Sequence, residues 1–221
     1  RIPTILPKLS FEEALEVTKI HSIAGDISQN SPLIINRPFR FPHHTISKTS
    51  LVGGGVFPKP GEISLAHYGV LFLDELPEFE KSTLEVLRGP LEDGKITISR
   101  VNATLTYPSK FMMVASMNPC PCGYYGTDKE CTCSSKAIAK YLGKVSGPLL
   151  DRIDIQVEVS SVKYKNFDIQ TDEDTSNKIR ARVEKTRELQ IKRYKGTGIL
   201  SNSEITPTLN QKNYKLNSHR K

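Results

Sequence analysis

The chain has 221 residues, enough for one well-buried core, and a formal net charge of +7. That charge allows a polyanionic partner but decides no function, because charge runs on helices are commonly solvent-facing. No apolar run approaches the roughly 20 residues that cross a bilayer, and the amino terminus lacks the basic, apolar and small-residue succession of a secretory signal, so a soluble cytoplasmic protein without a membrane partner is expected.

Residues 1–7, Arg1-Ile2-Pro3-Thr4-Ile5-Leu6-Pro7, have no start methionine and read as the tail of an element begun upstream. Ser10 with Glu13 three residues later forms a capping box, which predicts a helix over residues 11–23 that Gly25 ends in a left-handed conformation. From Asp26 to Gly69 the prolines Pro38, Pro42, Pro58 and Pro60 exclude a regular helix, leaving a long insertion with short elements, and a stretch of such length is usually functional. His43-His44 inside it lack a third ligand at a plausible spacing and read as surface or hydrogen-bonding histidines. Gly69-Val70-Leu71-Phe72-Leu73 has the pattern of a strand buried on both faces of a parallel sheet, and it runs directly into Asp74-Glu75.

Leu84, Leu87 and Leu91 at helical spacing predict a helix over residues 80–91, strained or kinked around Gly89-Pro90. Residues 96–100 and 103–107 alternate with period two and predict a hairpin turning at Val101-Asn102, with Arg100 near its tip. Phe111-Met112-Met113-Val114-Ala115-Ser116 is a second buried-strand run that delivers Asn118-Pro119. In open parallel sheets the ligand crevice lies at the carboxyl ends of the strands, so Asp74, Glu75 and Asn118 are expected to converge. A short helix over residues 135–142 follows, then a further strand in which Ile155, Val157 and Val159 alternate. A basic helix comes next, with eight cations between Lys178 and Lys195 against Glu184 and Glu188. It reads either as a polyanion-binding face or as a solvated one.

A carboxylate pair after a buried strand matches what metal-assisted phosphoryl transfer requires: Asp74 to hold magnesium through water and Glu75 to polarise the attacking water. By itself the pair could equally cap a helix or form salt bridges. The cysteines Cys120, Cys122, Cys131 and Cys133 are spaced C-x-C, eight residues, C-x-C. All four lie in one short stretch, which suits a local zinc site or reduced unligated thiols better than a disulfide framework. Arg152, taken alone, reads as an ion-pair partner of Asp151 or Asp154.

The stretches Arg37-Pro38-Phe39-Arg40, Pro42-His43-His44-Thr45-Ile46-Ser47, Leu51-Val52-Gly53-Gly54-Gly55, Pro60-Gly61-Glu62-Ile63-Ser64-Leu65-Ala66-His67 and Asn118-Pro119-Cys120-Pro121-Cys122-Gly123-Tyr124-Tyr125-Gly126 strongly resemble the ComM/YifB family of magnesium-chelatase-like AAA+ ATPases. The resemblance implies an α/β P-loop NTPase core with a parallel sheet and inserted hairpin elements, assembled as a hexameric ring and using ATP and Mg2+. It assigns Asp74 and Glu75 to Walker B and Asn118 to sensor 1. It makes Arg152 an arginine finger toward a neighbouring subunit and places Arg100 on a pore hairpin that grips DNA. The activity it implies is DNA branch migration, with a magnesium-chelatase motor subunit as the alternative and a nonhydrolysing zinc-braced binding fragment as another. No G-x-x-x-x-G-K-S/T sequence occurs, and Gly53-Gly54-Gly55 has no following Lys-Ser/Thr. The resemblance would put that phosphate loop before Arg1 and the helical lid after Lys221. Residues 1–195 are then expected to be a partial core, and residues 196–221 the start of the lid.

Overall fold

The computed structural model describes residues 1–27, 32–100, 103–159, 175–197, 199 and 201–205. The chain divides into two compact units, residues 8–170 and a second formed by residues 1–7 with residues 171–221. The basic helix falls in the second unit, together with residues 1–7.

In the larger unit, helix α2 (Phe11–Ala24) begins at the expected capping box: Ser10 accepts from the Glu13 N–H, and Glu13 returns the bond to the Ser10 N–H. It ends at Gly25, whose φ of 88° is the left-handed cap. Its inner face carries Ala14, Val17 and Ile20. Arg37 ties this helix to the rest of the unit, donating to the Glu13 carboxylate at 2.9 Å and to the Tyr68 carbonyl at 2.7 Å.

Three parallel strands form the sheet, in the order β1 (Phe39–Arg40), β4 (Val70–Leu73), β7 (Met112–Ala115). Leu73 pairs with Ala115, so the carboxyl ends of β4 and β7 share one edge, as the apolar runs predicted. β4 lies between two neighbours, and its Val70, Leu71 and Leu73 are buried. β7 differs from expectation. Met112 is 46% exposed and the other three residues are half-buried, because among the described residues β7 has a strand on one side only. Gly69 is required where β4 begins, since a Cβ there would sit 2.0 Å from the Pro38 carbonyl oxygen.

The long insertion contains α3 (Lys48–Val52), the two-residue strands β2 (Gly53–Gly54) and β3 (Lys59–Pro60), which pair antiparallel, and α4 (Glu62–Leu65). Leu51, Ile63 and Ala66 from this region enter the main core beside Leu71, Leu73 and Leu76. Gly53 leads into a strand rather than a helix, so the glycine run is not a phosphate loop.

The helix expected over residues 80–91 is two helices, α5 (Lys81–Glu85) and α6 (Arg88–Asp93). The break falls at Val86, four residues before Pro90, because the proline ring clashes with that carbonyl; Pro90 itself sits comfortably in the first turn of α6. The hairpin forms as read, with β5 (Lys95–Arg100) against β6 (Ala103–Pro108) and Ile98 opposite Leu105. Its expected turn, Val101-Asn102, lies outside the described residues. Ile96, Ile98 and Tyr107 pack into the core, while Thr97–Thr106 and Ser99–Thr104 pair hydroxyls at 2.9 Å on the exposed face.

Helix α7 (Ser135–Leu142) has the predicted bounds, and α8 (Gly147–Leu150) follows, each capped by a serine, Ser134 and Ser146. The strand expected at Ile155, Val157 and Val159 does not form. Those side chains are 79%, 76% and 85% exposed, and among the described residues no strand lies beside them. Alternation alone cannot hold a strand without a neighbour to complete its hydrogen bonds.

In the smaller unit, α9 (Ser176–Arg193) has no buried residue, which fits a polyanion-binding face and a solvated face alike. The Arg180 guanidinium donates to the carbonyl of Thr4 in α1 (Ile2–Ile5), and the Thr4 hydroxyl reaches Ser176 at 3.2 Å. Among the described residues no helix is long and apolar enough to cross a membrane.

Candidate active site at the sheet edge

The carboxylate pair lies where β4 leaves the sheet. Asp74 Oδ1 accepts from the Glu75 N–H at 3.0 Å and from the Ser116 hydroxyl at the end of β7, so two donors fix the carboxylate plane. Both acidic residues are exposed. Glu75 has φ 54° and ψ 47°, a left-handed conformation rare for a residue with a β-carbon. Three backbone bonds hold the strained turn: Leu76 N–H to the Ser116 carbonyl at 2.9 Å, Ser116 N–H to the Leu73 carbonyl at 3.0 Å, and Glu78 N–H to the Glu75 carbonyl at 2.7 Å.

Glu75 Oε2 lies 3.5 Å from His44 Nδ1. The His44 ring is set by His43, whose centroid is 4.1 Å away, and by Phe79, met edge-on at 6.4 Å. His43 in turn bonds the Thr45 hydroxyl at 2.9 Å. His43 is thus a hydrogen-bonding residue, as read, and His44 lies beside the Glu75 carboxylate and belongs to the site. Neither His44 nor Ser116 was identified from sequence. Ser116 closes the strand run that delivers Asn118, and that position was the available signal. His44 had none, because a two-residue β1 gives no pattern from which to place the following loop beside β4.

Asn118 is exposed, just beyond β7 on the edge that carries Asp74, and Gly123 folds back toward it: a Cβ there would lie 3.9 Å from the Asn118 side-chain carbon. Arg152 has a different partner from the two considered. It pairs with Glu92 on α6, not with Asp151 or Asp154, because the turn after α8 directs it toward that helix. Arg100 sits at the end of β5, exposed, donating to the Ser99 carbonyl at 3.0 Å and lying over Gly54.

The four cysteines come together, with all four sulfurs within 4.8 Å of one another. The Tyr124 backbone N–H draws the Cys122 thiol down to about 6. Cys131 is pushed up to about 12: the Cys133 N–H favours its thiolate, but burial and the adjacent Cys122 and Cys120 sulfurs outweigh that bond.

A mixed α/β protein with a parallel sheet and an exposed, tethered carboxylate pair at its strand ends is the class that fold and site define. The chain belongs to the family described as "Magnesium chelatase, subunit ChlI", whose model matches residues 1–167. It is 46% identical over 197 residues to competence protein ComM of Haemophilus influenzae, covering 87% of this chain and 38% of that one. It is 52% identical over 160 residues to YifB of Escherichia coli, covering 72% and 31% respectively. To magnesium-chelatase subunit ChlI of Chlorella vulgaris it is 25% identical over 119 residues, covering 54% of this chain and 28% of the other. The family resemblance read from the motifs therefore holds, and the chain spans well under half the length of these curated relatives.

Proposed function

We propose that this chain supplies the hydrolysis half of a AAA+ ATPase site in a motor acting on DNA. The observation that carries the reading is the Asp74–Glu75 pair at the carboxyl end of a central parallel strand, with Asp74 clamped by two donors and Glu75 turned outward by a strained backbone. An exposed carboxylate held in one plane suits water-mediated Mg2+ coordination, and the magnesium nucleotide, when bound, would supply the phosphoryl group. Asp74 would position that cation, Glu75 would take the proton of the attacking water, and Asn118 would orient the phosphoryl oxygens from the neighbouring strand. Arg152 would act in a neighbouring subunit of a hexameric ring, and Arg100 would grip DNA phosphates without reading sequence.

The 221 residues hold no phosphate-loop sequence. The chain alone is therefore expected to turn over no ATP, and the activity belongs to the full-length protein. There, Glu75→Gln should lower magnesium-dependent turnover by about 10²- to 10⁴-fold while leaving ATP binding intact, the usual worth of a general base. DNA should stimulate the wild type, and Arg100→Ala should weaken DNA binding and its salt dependence. Turnover unaffected by Glu75→Gln would end the ATPase reading. Stimulation by a porphyrin and not by DNA would favour the chelatase-type motor that the family description suggests. The 46% match to a protein named for competence, against 25% to a chelatase subunit, is what ranks the chelatase-type reading second.

A further inference from the structure

The chain between β7 and α7, residues 116–134, contains neither helix nor strand. Loops longer than about 12–15 residues without their own secondary structure are uncommon in compact domains and need something to order them. Of the four cysteines here only Cys120 is buried, so an apolar core does not supply that order.

The sulfurs supply the alternative. Cys120 and Cys122 are 3.4 Å apart, Cys122 and Cys131 3.6 Å, and Cys120 and Cys131 3.7 Å. A disulfide needs about 2.0 Å, so none of these pairs is bonded. A tetrahedral ion with metal–sulfur bonds of about 2.3 Å has sulfur–sulfur edges of about 3.8 Å, and the observed spacings approach that figure. The Tyr125 backbone N–H points at Cys120 Sγ at 3.4 Å, and the Gly123 N–H closes the turn by bonding the Cys120 carbonyl at 3.0 Å. Gly123 achieves this turn at φ 82°, which a residue with a side chain would resist. N–H groups directed at sulfur are the outer-shell support that metal-bound thiolates receive. A donor set of four thiolates, with no carboxylate or imidazole in the cluster, excludes magnesium and calcium and selects a soft tetrahedral cation.

We propose that Cys120, Cys122, Cys131 and Cys133 bind one Zn2+ and that this ion braces the loop leaving Asn118. The site stands on its own geometry and does not depend on the ATPase reading. Cys120 lies two residues beyond Asn118, so the ion pins the chain at the point where it departs from the sheet edge. Its role is structural, since all four ligand positions are filled by protein and none is open to substrate.

Metal analysis of the protein purified without chelator should give about one zinc per chain. Replacement by Co2+ should give the intense visible bands of a tetrahedral tetrathiolate. With zinc bound, the thiols should react slowly with a thiol reagent; after chelation, all four should react and a protease should cut between Tyr124 and Lys129. Cys133→Ser should lose the metal or hold it weakly, and Cys133→His should restore binding with a weakened thiolate charge-transfer band. If Cys133→Ser fails to fold, the cobalt spectrum of the wild-type protein decides by itself. Four freely reacting thiols in native protein, a cobalt adduct without tetrahedral thiolate bands, or iron with sulfide in place of zinc would each overturn the assignment.

Discussion

A glutamate in a left-handed backbone conformation costs about 1–3 kcal/mol, and proteins retain such strain where the surroundings over-determine it. Around Glu75 the surroundings do so. The Asp74 carboxylate binds the Glu75 N–H, and the Ser116 carbonyl and amide hold the residues on either side. The consequence is directional, because the side chain leaves the sheet edge toward His44, 3.5 Å away. His44 is placed to hold the Glu75 carboxylate in one orientation, which makes it a positioning residue for the proposed general base. In the full-length protein His44→Ala should lower kcat about tenfold, a loss of roughly 1.4 kcal/mol in transition-state stabilisation, with little change in KM for ATP. His44→Gln, which can still donate a hydrogen bond, should recover much of the rate. An equal fall for both variants alongside a lowered melting temperature would mean that His44 only packs against His43 and Phe79.

At the scale of elements, α2 is tied to the sheet by the Arg37–Glu13 pair, with side chains 11% and 6% exposed. Arg37 also caps the Tyr68 carbonyl just before β4, so one side chain holds helix and strand together. Arg37→Leu would take the cationic partner from the buried Glu13 carboxylate, which keeps its bond from the Ser10 N–H, and removing one partner of a buried pair costs about 3–5 kcal/mol. Urea unfolding should show that loss in its midpoint, and a change under about 1 kcal/mol would place the pair among surface bridges. What was legible in the sequence at this scale was local. The capping box at Ser10 and Glu13, the alternation of β5 and β6, and the short helix α7 all depend on residues a few positions apart. The misreadings had two sources, one distant and one local. Ile155, Val157 and Val159 alternate correctly but have no adjacent strand among the described residues, and the break at Val86 reflects where the ring of Pro90 meets a carbonyl, not where the proline stands. Asp74, Glu75 and Asn118 were legible because each follows an apolar strand. His44 reaches the site through a contact that no single segment encodes, whereas Ser116 carried a signal in its place at the end of the β7 run.

At the scale of the whole molecule, Arg152 has a partner in its own chain and a proposed second role in a neighbouring subunit. Its backbone is well anchored: Leu149 is fully buried, and the Arg152 N–H bonds the Leu149 carbonyl at 3.1 Å, so the side chain leaves a fixed turn. That side chain pairs with Glu92, and each partner is 42% exposed. Such a surface pair is worth about 0–1 kcal/mol. An arginine finger supplied by a neighbouring subunit is worth about 10³ to 10⁵ in rate, or roughly 4–7 kcal/mol. Giving up Glu92 on ring assembly would therefore cost far less than the finger contributes. In the full-length protein Glu92→Gln should leave hydrolysis unchanged or slightly raised, while Arg152→Ala should retain ATP binding and lose hydrolysis. The two roles separate on mixing: Arg152→Ala subunits carry an intact Glu75, and Glu75→Gln subunits carry an intact Arg152. Where the two meet in the right order, one interface contains both functional groups, so combining the two inactive proteins should restore a fraction of wild-type turnover that varies with the mixing ratio. A mixture that stays as inactive as its components at every ratio, despite verified co-assembly, would mean that Arg152 acts within its own chain and that its pairing with Glu92 is its working state.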